Sequence, residues 1–170
     1  LGWPGASRRQ APGTDTPTLQ TSRYAFVPKR FGPPRLLESP KPLLMATQRK
    51  ILRATLDKVP AHDAAHGFVA GRSCLSGAAR HASEDMVIAL DLKDFFLTTP
   101  VRRVHGIFRA LGYPWAVARL LTGLCTSAVP QSVFRRLPVA QRHDWKTRQL
   151  FSSRHLPQGA PTSPALANLA

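Results

Sequence analysis

Two aspartates three residues apart, Asp91 and Asp94 in IALDLKDFF (residues 88–96), are best placed by type and context to do chemistry. The residues before them, 86–90 (MVIAL), are continuously apolar. Such a run predicts a strand buried on both faces, with Asp91 at its C-terminal end. A carboxylate at a sheet rim can hold a divalent cation without itself being buried. Asp94 follows closely enough to shape the same pocket. A solvent-exposed strand-to-helix turn with acidic capping residues would carry the same residues, and one carboxylate is an incomplete Mg²⁺ site. Residue types alone leave both readings open.

Two further segments offer chemistry. In LPQGAPTSP (residues 156–164), Gly159 after Gln158 permits a tight turn, and the prolines stiffen the approach. Thr162 and Ser163 would put hydroxyls and N–H groups at a helix start, where an anion can bind. In PKRFGPPR (residues 28–35), Lys29, Arg30 and Arg35 surround a turn and could grip phosphates. A capped proline-rich loop and an exposed basic hairpin are the plain alternatives. Other patterns fail. The chain has no GxxxxGK[ST] and no GxGxxG. His62 and His66 are four apart, but Pro60 and Gly67 disfavour a helix that would aim both at one zinc ion. Gly67 and Gly71 have small-residue spacing but polar flanks.

The elements that must position these residues follow from turn and period signals. Residues 1–22 read as a flexible basic tail or linker, and 23–170 as one domain. Residues 24–28 and 35–38 are extended pieces around the Gly-Pro-Pro turn, predicting a hairpin. Leu44, Gln48, Ile51, Leu52, Thr55 and Val59 recur at helical spacing, with Arg49, Lys50, Arg53 and Lys58 towards another side, and the helix should stop before Pro60. Ser73 caps a short helix through CLSGAARHA. Thr99 as cap and Pro100 at the first helical position start VRRVHGIFRALG, which Gly112 ends. Pro114 opens WAVARLLTGLC. Residues 126–154 have poor periodicity and read as loop plus short strands. LPQG is a turn, and Thr162 or Ser163 caps a last helix from Pro164. The fold class is α+β without internal repeats.

The 170 residues carry 24 Lys plus Arg against nine Asp plus Glu, a net charge of +15. Basic residues concentrate in the first 50 and last 70 positions, and the middle third, holding Asp91 and Asp94, is slightly acidic. Such a balance suits a polyanionic partner, and a carboxylate pair between basic flanks suits a metal site in a phosphate-binding cleft. An apolar fraction of 43% argues against wholesale disorder. No stretch approaches the roughly eighteen apolar residues of a membrane span, and no signal pattern opens the chain. Two distant cysteines exclude a disulfide scaffold, and the expected compartment is the reducing cytoplasm. Starting at Leu1 and stopping in an apolar run, the chain reads as a piece of a longer protein.

Taken in order, VPKRFGPPRLLESPKPLLMATQRKIL, AHGFVAGRS, ALDLKDFF, VARLLTGLCT and HLPQGAPTSPALANL resemble the bacterial reverse transcriptases of the retron and group II intron type, most closely the retron-like branch. The resemblance runs over residues 24–170. It implies a right-hand polymerase fold, here its fingers and the first part of its palm, whose parent copies RNA into DNA with Mg²⁺. By position, it implies Asp91 as the first catalytic aspartate and metal ligand, and the Leu92 carbonyl as a further ligand. Asp94 and Phe95 would border the incoming dNTP, and Phe96 would stand as the gate against a 2′-hydroxyl. Gln158 would pack around the nascent base pair, and Lys29 or Arg30 with Arg35 would grip the triphosphate. Arg72, Arg49 and Lys50 would meet nucleic acid. Implied partners are an RNA template, a DNA or RNA primer, dNTPs and a cognate structured non-coding RNA, with no membrane. The family's paired-aspartate motif and thumb would follow beyond residue 170, so these residues alone are expected to be inactive. The rival reading is a non-catalytic RNA-binding remnant of such a polymerase. A host-defence or intron-mobility role would leave the chemistry unchanged.

Overall fold

Phe26 and Leu36, Tyr24 and Glu38, and Ser22 and Pro40 face one another across an antiparallel hairpin of β1 (Ser22–Val27) and β2 (Arg35–Pro40). The structure is a computed structural model that describes residues 21–137 and 144–170. Gly32, at φ +79°, makes the turn as the Gly-Pro-Pro signal implies. Ser22 is buried and opens β1, whereas residues 1–20 of the expected tail lie outside the described residues. On β2, alternation sends Leu36, Glu38 and Pro40 inward.

Helix α1 (Pro42–Ala54) starts with proline in its first turn, and the Lys41 N–H donates to the Thr21 carbonyl (2.8 Å). It buries Gln48 and Ile51 and gives way to a 3₁₀ turn, Leu56–Lys58, before Pro60. Ser73 caps α2 (Cys74–Ala79) through a reciprocal capping box with Ser76, as the sequence suggests. Then come α3 (Phe95–Thr98), α4 (Val101–Ala110) and α5 (Trp115–Cys125). Gly112 at φ +89° and Pro114 make the corner between α4 and α5. Pro100 occupies the N-cap of α4, not its first turn. The Thr99 hydroxyl donates to the Phe95 carbonyl (2.8 Å), so it closes α3 and does not cap α4.

Two expectations are corrected. Residues 86–90 form no strand. Met86, Ile88 and Leu90 are 79%, 76% and 92% exposed. Strand formation is non-local, and among the described residues the sheet has only β1 and β2, so nothing pairs with this run. In residues 126–154, helices replace the expected strands. They are α6 (Gln131–Phe134) behind Pro130 and α7 (Trp145–Ser152). Among the described residues there, extended pairing is limited to one bridge between Ser127 and His155. The last helix, α8 (Ser163–Asn168), has Thr162 at its N-cap position without a side-chain cap.

The core has two parts. Ile51, Leu56, Val104, Phe108, Ala118, Cys125, Leu156 and Leu166 knit α1, α4, α5 and α8. Leu36, Leu97, Val129, Val133, Phe134 and Phe151 join β2, α3, α6 and α7. Phe96 packs on the first cluster and Leu97 belongs to the second, so the segment after Asp91 is anchored where the two meet. The fold is a mixed α+β arrangement of one small sheet and several helices. No helix among the described residues is long and apolar enough to cross a membrane.

Candidate functional site

A cleft of about 1020 Å³ opens between the hairpin, α1, residues 91–97, α7 and the Gln158 loop. Lys29 and Arg35 reach it from either side of the hairpin turn, and Arg49 from α1. Asp91, Leu92, Asp94, Phe95 and Phe96 form one wall, and Gln158 stands at another. The sequence separations are long, so tertiary structure brings these residues together.

Each wall is fixed locally. Arg35 pairs with Val27 in the hairpin register. Arg49 lies one helical turn after Met45, and both line the cleft. Asp94 adopts a left-handed conformation (φ 53°, ψ 35°), which aspartate tolerates better than most residues. That turn breaks the extended run and starts α3, where the Thr98 N–H donates to the Asp94 carbonyl (3.0 Å). The Gln158 loop is tied at two points. The Glu38 N–H donates to the Gln158 carbonyl (2.7 Å), and the Leu156 N–H donates to the Phe96 carbonyl (3.2 Å). At Gly159, φ is +124° and an added Cβ would meet the Glu38 carbonyl oxygen at 3.2 Å, so both backbone angle and space favour glycine.

Three sequence-predicted residues do not line the cleft. The Arg30 guanidinium lies 5.5 Å from the exposed Phe31 ring centroid. Lys50 is exposed on α1. Arg72 staples its own loop, with Nη1 donating to the carbonyls of His62 (2.7 Å), Asp63 (3.3 Å) and Ala65 (2.7 Å), and Nη2 facing Asp63 Oδ1 at 3.3 Å. The anion reading of Thr162 and Ser163 is corrected. Both are fully buried, and the Ser163 hydroxyl donates to the Pro157 carbonyl (2.8 Å).

Several lining residues escaped the sequence reading. Phe68, 81% exposed at φ 58°, presents a ring to the cleft from the GFVAGRS loop. Asp144 and Thr147 enter from α7, where Asp144 caps the helix by accepting from the Thr147 N–H (2.7 Å). That hydrogen bond, with further help from the Thr147 hydroxyl and Lys93, holds the Asp144 carboxyl below its ordinary range despite some desolvation. An Asp-x-x-Thr cap was the available signal. Behind the cleft, Glu38 and His155 form a fully buried pair, and the Tyr24 hydroxyl near it is pushed up in pKa by burial and by the Glu38 charge. Alternation with Leu36 on β2 was the clue that Glu38 points inward.

Asp91 and the Leu92 carbonyl are a partial donor set. Among the described residues no group of three or more His, Cys, Asp or Glu side chains could hold a metal ion. These residues do not by themselves make a Mg²⁺ site with its near-octahedral oxygen shell. What the described cleft offers is Lys29, Arg35, Arg49 and Lys93 together with the carboxylates of Asp91, Asp94 and Asp144 and several phenylalanine rings.

Comparison with known proteins gives the family. The family model described as reverse transcriptase (RNA-dependent DNA polymerase) matches residues 27–170. The chain is 44% identical over 145 residues to the retron Mx162 reverse transcriptase of Myxococcus xanthus, covering 84% of this chain and 28% of that protein. It is 44% identical over 147 residues to the retron Mx65 reverse transcriptase of Myxococcus xanthus, covering 84% of this chain and 32% of that protein. To the retron Ec86 reverse transcriptase of Escherichia coli it is 32% identical over 135 residues, covering 79% of this chain and 34% of that protein. The chain thus spans about a third of the length of these curated relatives. On a match running from the end of β1 to the last residue, the chain belongs to the reverse transcriptase (RNA-dependent DNA polymerase) family, with bacterial retron enzymes among its relatives.

Proposed function

We propose that this chain forms the fingers and first part of the palm of a right-hand polymerase that copies an RNA template into DNA from a DNA or RNA primer. The observation that carries the reading is the shared cleft, where Lys29, Arg35, Asp91, Asp94, Phe96 and Gln158 meet although they are spread along most of the chain. In it, Lys29 and Arg35 neutralise the triphosphate of the incoming dNTP. Arg49 continues that positive track towards nucleic acid. Asp94 and Phe95 border the nucleotide, Phe96 lies under its sugar, and Gln158 packs against the nascent base pair. Arg72 acts indirectly, by holding the loop that presents Phe68. Asp91 and the Leu92 carbonyl contribute to a Mg²⁺ site whose other carboxylates come from outside the described residues. Mg²⁺ in such enzymes activates the attacking hydroxyl and stabilises the leaving pyrophosphate. The 170 residues alone, with a partial donor set, incorporate no nucleotide. A cognate structured non-coding RNA as partner and a cytoplasmic location complete the proposal.

Primer extension on an RNA template tests it. In the full-length protein, Asp91→Asn abolishes synthesis and leaves primer–template affinity nearly intact, because it removes a metal ligand and little else. Undiminished synthesis by Asp91→Asn would remove the catalytic assignment. Nucleic-acid binding without synthesis by the full-length protein would favour the non-catalytic RNA-binding reading.

A further inference from the structure

Glu38 makes contacts that the nucleotide-binding reading does not use. Its side chain is fully buried, and Oε1 lies 2.8 Å from His155 Nε2, also fully buried. Oε2 accepts from the Ser127 hydroxyl (2.7 Å), and the Glu38 backbone N–H donates to the Gln158 carbonyl (2.7 Å). His155 Nδ1 lies 2.7 Å from the Ser153 carbonyl oxygen, which can only accept, so Nδ1 carries a proton. The His155 backbone exchanges both hydrogen bonds with Ser127 (3.1 and 2.9 Å). One residue of β2 therefore grips the Gln158 loop twice, by carboxylate at His155 and by main chain at Gln158. The same strand begins with Arg35.

A buried carboxyl–imidazole pair is a poor way to gain stability, since apolar side chains of similar volume often do as well or better. What it supplies is direction. The carboxylate accepts from fixed positions, so the loop cannot slide along β2 without leaving buried polar groups unpaired.

We infer that Glu38 and His155 are positioning residues that set Gln158 relative to Arg35, coupling the triphosphate-gripping strand to the loop against the base pair. The inference rests on the reading of Gln158 as a nucleotide-site residue. The pair touches no substrate and acts through the loop.

The test is steady-state primer extension by the full-length protein, reading KM for dNTP and kcat separately, with thermal unfolding to show that each variant folds. Glu38→Ala raises KM about ten-fold with kcat changed less than about three-fold, as expected when binding is lost but the chemical step is spared. Glu38→Gln can accept from Ser127 and donate to a neutral His155, and it restores KM to within about three-fold of the unsubstituted protein. In the Gln158→Ala background, Glu38→Ala adds no further rise, because the residue it positions is gone. Should Glu38→Ala not fold, Ser127→Ala enters the same cycle, since it removes only the bond to Oε2. A two- to three-fold rise that vanishes beside Gln158→Ala is then roughly what supports the inference. An unchanged KM in Glu38→Ala, a Gln variant as impaired as the Ala variant, or effects that add fully to those of Gln158→Ala would each overturn it. If Gln158→Ala itself leaves KM unchanged, the reading of Gln158 fails and takes this inference with it.

Discussion

Phe96 has two jobs that a single substitution disturbs together. Its ring lines the cleft and also packs on the first core cluster. Phe96→Ala therefore costs stability, on the order of 1–3 kcal/mol for a half-buried ring, and total activity is a poor readout. The ratio of dNTP to rNTP incorporation is insensitive to the folded fraction. We expect it to fall sharply in Phe96→Ala, because a ring beneath the sugar discriminates by colliding with the 2′-hydroxyl. An unchanged ratio would remove the gate and leave the rest of the site intact. The cysteines offer a simpler check. Cys74 is exposed, whereas burial pushes the Cys125 thiol up to about 11, partly offset by a hydrogen bond with Thr162. A thiol whose folded pKa is raised favours the folded state while neutral, and that contribution is lost as pH rises from its unfolded value towards 11. At pH 8 a maleimide should modify Cys74 and spare Cys125 until the protein is unfolded, which intact-mass analysis shows directly.

Among the elements, those announced by local chemistry were legible and those made by distant partners were not. The Gly-Pro-Pro turn fixed the hairpin, the helical spacing from Leu44 marked α1, and Gly112 with Pro114 separated α4 from α5. Thr99 and Pro100 were read one position out, because the Thr99 hydroxyl was already engaged by the Phe95 carbonyl of the preceding helix. Helix α7 was missed because its short run offers little period, although Asp144 and Thr147 carried its cap. That cap makes a pH prediction. The Asp144 carboxyl titrates below its ordinary value, chiefly because of the Thr147 N–H. Its contribution is present above the unfolded pKa and is lost as pH falls through the folded one. Asp144→Ala should lower Tm at pH 7, and the gap from the unsubstituted protein should close once pH falls well below about 3.9. A gap that persists at low pH would mean the carboxylate is not what caps α7.

At the scale of the molecule, charge and apolar surface locate what the cleft handles and what the fold leaves uncovered. Of the candidate site, motif order in the sequence singled out residues that for the most part line one cleft. The lack of a strand behind Asp91 was not legible, since residues 86–90 read as a buried strand but have no pairing partner among the described residues and expose Met86, Ile88 and Leu90. An apolar run can promise burial, but only a neighbour delivers it. Charge is less dependent on neighbours. The chain carries +15, and Lys29, Arg35 and Arg49 bring part of that charge into the cleft beside Asp91 and Asp94. If this is where a template–primer strand lies, binding should be governed by counterion release, with log affinity falling linearly as log salt rises. Each phosphate contact on a single strand contributes a slope of about −0.7. Replacing Arg49 by Ala should therefore flatten the slope by about 0.7 and weaken binding alike for unrelated RNA sequences, whereas Lys29→Ala and Arg35→Ala, at residues proposed to grip the dNTP, should leave it nearly unchanged. Fluorescence anisotropy with labelled RNA across a salt series measures both. An unchanged slope in Arg49→Ala would show that the phosphates lie elsewhere on this basic surface. A flattened slope with sequence-dependent loss would mean that Arg49 touches bases, which a template-copying site has no reason to do, because base pairing does the reading.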